Sequence, residues 1–61
     1  MAKVKNVEEG IKFKLPSGDV YEVKEFIGKS QAGISDLWLC QCGDIEAVFT
    51  DWAICDKQEI K

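Results

Sequence analysis

The residues best suited to chemistry in this chain are its three cysteines. Cys40 and Cys42 stand two apart in Cys40-x-Cys42-Gly43, and Cys55 follows further on. Two thiolates at i and i+2 of an extended segment share a face, and Cys55 with Asp44 or Asp56 would complete a tetrahedral zinc shell. Zinc knuckles usually space their thiols by two to four residues, so C-x-C is a weak version of that pattern. Free cysteine is also among the most often buried residue types. We therefore read Cys40 and Cys42 as small buried hydrophobes and expect no cofactor, with Cys40, Cys42 and Cys55 as the alternative metal set. A Cys40–Cys42 disulfide is disfavoured, because i and i+2 in a strand lie about 6.6 Å apart, near the upper limit for bridging. Histidine is absent, and no cysteine or serine has the usual base beside it. Proton transfer and nucleophilic attack near neutral pH thus lack their common agents, and we expect no catalytic residues and no enzyme.

What remains is binding. Eight lysines oppose eleven carboxylates for a net charge of −3, and there is no arginine. The charge is uneven: residues 1–30 carry +1 and residues 31–61 carry −4. A polyanion would meet an acidic half and would find none of the side chain best suited to bidentate phosphate contacts, so nucleic acid is a disfavoured partner. The alternative that keeps it uses Lys12, Lys14 and Lys24 with Tyr21, although a solvated strand face explains the same lysines. No apolar run approaches the roughly 20 residues of a membrane span, and the first residues lack the apolar stretch of a signal peptide. With an odd number of cysteines, reduced thiols in the cytoplasm are the simpler expectation.

These side chains must be positioned by a chain of 61 residues, enough for one domain only. Apolar residues form 46% of it and charged ones 31%, a globular balance. From Gly10, the apolar Ile11, Phe13 and Leu15 alternate with Lys12 and Lys14 at the period of a half-buried strand. Pro16-Ser17-Gly18-Asp19 reverses the chain, and Val20 to Ile27 forms a second strand with Tyr21 and Val23 inward. The period slips where Phe26 and Ile27 are adjacent, which predicts a bulge or bend near Glu25. Residues 28–35 have the composition of a surface loop.

Asp36 to Thr50 is the most informative stretch. With Gly43-Asp44 as a two-residue loop, Cys42 faces Ile45, Cys40 faces Ala47 and Trp38 faces Phe49, all on one face. A slip of one residue would turn Gln41 and Glu46 inward, at a few kcal/mol per uncompensated polar group. Thr50 or Asp51 then caps a helical turn near residues 50–53, after which Ile54 begins a short closing strand. Residues 57–61 read as a polar tail, and residues 1–9 as an arm that pairs as an edge or stays free.

Five strands with one helical turn predict an all-β fold, a small, strongly bent, five-stranded antiparallel barrel. The pattern Gly10-x-x-Phe13-x-Leu15-x-Ser17-Gly18-x-x-Tyr21-x-Val23, with Thr50-Asp51-Trp52-Ala53 near the end, resembles the small SH3-like barrels of many bacterial and phage proteins, over residues 10 to about 56. The resemblance implies architecture, since that fold hosts unrelated functions. Trp38-x-Cys40-x-Cys42-Gly43 also resembles a stretch of the cysteine-rich modules that accompany some phage endonucleases, although the further cysteines of that pattern are missing.

A barrel this small fills its interior with side chains, leaving no pocket for a small-molecule substrate. We expect a protein-binding or assembly module whose partner is another protein or its own copy. Leu37, Leu39 and Val48 lie opposite the core face, and they are either covered by the arm or meet another chain. Trp38 is assigned to the core. Trp52 caps an open end of the barrel or, alternatively, stands out as an anchor for a partner.

Overall fold

The computed structural model describes residues 3–60. Five strands and one helix follow in the order β1 (Lys12–Lys14), β2 (Val20–Lys29), β3 (Asp36–Cys42), β4 (Ile45–Thr50), α1 (Asp51–Cys55) and β5 (Gln58–Ile60). They make a single antiparallel sheet in the order β4-β3-β2-β1-β5. The fold is all-β, as the alternation requires, and β4 and β5 at its two ends are not hydrogen-bonded to each other among the described residues.

The β3–β4 hairpin has the expected register. Cys42 pairs with Ile45, Cys40 with Ala47 and Trp38 with Phe49. Gly43 takes φ 59, while no non-glycine among the described residues, Asp44 included, has positive φ. That combination is a type II′ turn, whose twist matches the flanking strands and which needs glycine at its first central position. In the first hairpin Phe13 pairs with Tyr21, and β1 takes its second neighbour from β5, Phe13 facing Glu59.

β2 is bulged twice. Its register against β3 shifts between Val23 and Glu25 and again between Phe26 and Gly28. The first shift is the one expected near Glu25: it places Glu25 beside Leu39 on the outer face and returns Phe26 to the side of Trp38. Each extra residue increases the local twist and bends the strand. The effect is large. β1 and β4 stand three places apart, about 14 Å in a flat sheet, yet the rings of Phe13 and Phe49 meet at 5.3 Å, edge to face. Tyr21 and Phe49 also lie 5.3 Å apart. The sheet therefore curls around its inner face, and Phe13, Tyr21, Val23, Cys40, Ile54 and Val4 form the buried core.

The structure corrects the sequence reading at both ends. β2 runs on to Lys29, so the loop begins at Ser30 rather than Gly28. Ile54 does not start a strand: α1 continues to Cys55, and one turn of helix turns Ile54 into the core with no exposed surface. The closing strand is β5, drawn from residues expected to be a polar tail. Lys61 lies outside the described residues. The arm is partly ordered, with the Val4 N–H donating to the Lys57 carbonyl at 3.0 Å, Lys3 bridging to Gln58, and the Val4 side chain buried. Residues 1 and 2 of that arm also lie outside the described residues.

Candidate functional site

The outer face of the β3–β4 hairpin holds the apolar residues singled out from sequence. Leu39 is directly opposite Val48, and Leu37 is opposite Thr50. On the β2 side this row ends at Glu25 beside Leu39 and at Gly28 beside Leu37. On the other side it runs to the edge of the sheet, since β4 has no further neighbour among the described residues. Leu37 and Leu39 are half-buried and Val48 is 54% exposed. The described part of the arm does not cover them. It bonds beside β5 and sends Val4 into the core on the inner face.

Trp52 is 67% exposed, which overturns its expected place as a cap on the barrel. The core end is closed instead by Ile54, on the opposite side of the short helix. The indole is nevertheless held. Its Nε1–H donates to Ser35 Oγ at 3.0 Å, and Ser35 is the one buried polar residue among the described residues. The same junction is tied by the Asp36 N–H donating to Asp51 Oδ1 at 3.3 Å and by Lys29 Nζ on Asp36 Oδ1 at 2.7 Å. The Asp36 hydrogen bond and charge raise the Lys29 pKa above the usual lysine value. Thr50 supplies the helix cap, its Oγ1 accepting from the Ala53 N–H at 3.3 Å. Trp52 thus stands at the Leu37–Thr50 end of the hairpin as an ordered, exposed aromatic ring.

Sequence reasoning missed further apolar exposure at this end. Ile34 is 84% exposed in the loop beside Ser35. Phe26 and Ile27 are also exposed, and Phe26 makes an edge-to-face contact with Trp38 at 5.2 Å. The signal for Ile34 was present as a lone branched aliphatic among glycine and serine. For Phe26 and Ile27 it was not, because the second bulge leaves no periodic mark.

The alternative sites are not assembled. Tyr21 is a core residue, 8% exposed and stacked on Phe13 at 6.1 Å, so it offers no face to a base. Lys12 and Lys14 are exposed on β1, but Lys12 pairs across from Glu22, and Lys24 reaches that same Glu22 at 3.4 Å. The lysine row is therefore interleaved with carboxylate. The cysteines are dispersed. Cys40 is fully buried with Sγ 3.7 Å from the Trp38 carbonyl, while Cys55 Sγ points to the Lys5 carbonyl at 3.8 Å. No cluster of three metal-ligating side chains exists among the described residues. Burial raises the Cys40 thiol to about 11. Among the described residues no helix is long and apolar enough to cross a membrane.

The chain matches no protein-family model, no curated protein and no solved structure.

Proposed function

We propose that this chain is a non-catalytic protein-binding or assembly module of small SH3-like barrel type, of the kind found in bacterial and phage proteins, acting in the cytoplasm. The bulged second strand, the tight Gly43 hairpin and the single helical turn before the last strand support the barrel type. One observation carries the functional reading: Leu39 and Val48 form a cross-strand apolar pair that runs to the open sheet edge, with Trp52 exposed at the same end of the hairpin. So small a domain needs most of its large apolar residues for its core, so apolar side chains left outside suit a contact surface. Tryptophan, with tyrosine and arginine, is enriched among interface anchors. The −4 charge of residues 31–61 favours a partner with a basic rim.

The test is affinity capture and chemical crosslinking with the wild type beside Leu39→Asp and Trp52→Ala. Both substitutions alter outward side chains, and circular dichroism should show both variants folded. Loss of the same bound chain from both supports the reading. Retention of every bound chain by two folded variants removes it.

A further inference from the structure

We propose that the open edge of β4 pairs with the β4 edge of a second copy, in antiparallel register about a two-fold axis at Val48, joining two sheets into one. This deepens the reading as an assembly module and rests on it.

The geometry begins at the hairpin. In a two-residue loop the flanking residues, here Cys42 and Ile45, form a hydrogen-bonded pair. Bonded and non-bonded pairs alternate along an antiparallel ladder, so Ile45, Ala47 and Phe49 spend their backbone groups on β3. The N–H and C=O groups of Glu46 and Val48 and the N–H of Thr50 therefore point away from β3, toward the open side, while the Thr50 C=O, at the helix cap, accepts the first bond of α1.

Sheet edges of this kind are normally blunted by lysine, proline, a bulge or a covering segment. The β5 edge has such cover in the arm, through Lys3 and Val4. β4 has none of these among the described residues. Its sequence Ile45-Glu46-Ala47-Val48-Phe49-Thr50 carries one charge and no proline or lysine, and its register against β3 is unbroken. Val48 and Ile45 are 54% and 60% exposed.

Register selects the occupant. Directly opposed residues in an antiparallel pair share a face, so a two-fold can sit at Glu46, Ala47 or Val48. At Glu46 it would oppose two like charges. At Ala47 it would set each Glu46 against the second copy's Val48. At Val48 it opposes valine to valine and Glu46 to the second copy's Thr50, so that the two Val48 residues exchange their free N–H and C=O groups and each Thr50 N–H meets the second copy's Glu46 C=O. On the outer face this makes one apolar row: Leu39, Val48, and their counterparts in reverse order. On the inner face Ala47 meets the second copy's Phe49, small against large. An arbitrary extended peptide has no reason to meet all of these conditions, whereas the same strand inverted meets them together.

The experiment uses the whole chain. Sedimentation equilibrium up to about 1 mM should show a concentration-dependent dimer, and the Val48 and Thr50 amides should gain hydrogen-exchange protection as it forms. Val48→Lys and Val48→Glu should each be monomeric at every concentration, and an equimolar mixture of the two should recover the dimer. A wild-type monomer throughout, a dimer that survives Val48→Lys, or a dimer with unprotected Val48 and Thr50 amides would each overturn the proposal. The last outcome would indicate packing through faces, and protection of those amides only on adding another extended chain would indicate a different partner. Because Leu39→Asp and Trp52→Ala are read by capture, a monomeric chain that still loses its bound partner in those variants separates failure of this pairing from failure of the module itself.

Discussion

At the scale of single residues, burial decides chemistry. Cys40 is closed off entirely, and desolvation lifts its thiol from 9.0 to about 11. Above pH 9 the unfolded chain releases this proton while the native chain keeps it, so unfolding is favoured as pH rises. Stability from this thiol is full below about 9 and declines toward 11. Denaturant titrations from pH 8 to 11 should show a steeper fall for the wild type than for Cys40→Ala, which costs about 1 kcal/mol at neutral pH. A thiol reagent should label Cys42 and Cys55 in the native chain and reach Cys40 only on unfolding. The two large side chains of α1 should diverge in the same way. Ile54→Ala empties a buried site at about 2–5 kcal/mol, while Trp52→Ala removes an exposed ring with one hydrogen bond to Ser35, about 1 kcal/mol or less by thermal or denaturant melts.

At the scale of elements, α1 exists because its first turn is capped. Five residues of helix are too few to stand alone, and the Thr50 hydroxyl meets one of the orphan N–H groups at its start. Thr50→Ala should cost about 1 kcal/mol in a denaturant melt. Because Asp51 and Trp52 tie the helix to Asp36 and Ser35, that variant should also speed amide exchange at Asp36. The hairpin was legible beforehand because six side chains of one face repeat with the pleat and only one register keeps Gln41 and Glu46 off that face, although Ile45, expected to pack inward, stands 60% exposed beside the turn, beyond the reach of the core. The first bulge was legible because Phe26 and Ile27 break the alternation. The second was not, since glycine at position 28 carries no side chain to mark a face.

At the scale of the whole molecule, curvature turns an open sheet into a core. The two bulges bring β4 over β1, and the arm and β5 then complete the inner face with Val4. Val4→Asp would place a carboxylate in that core and should lower the melting temperature by well over 10 °C, or unfold a domain this small outright. A substitution at the neighbouring Lys3, whose ion pair with Asp56 is largely exposed, should be nearly neutral. The contrast would show that the arm contributes through burial and not charge.

The order of residues alone determined the all-β class, the Gly43-Asp44 turn, the inward row from Trp38 to Phe49 and the outward position of Leu39 and Val48. Each of these follows from a period of two along neighbouring residues, which is local information. The tertiary structure alone decided that Gln58–Ile60 is a strand, that Val4 is core and that Trp52 stands outside. An edge strand pairs through its backbone and needs no apolar pattern, and the exposure of a ring depends on how far a sheet bends, which is set by contacts between residues distant in the chain.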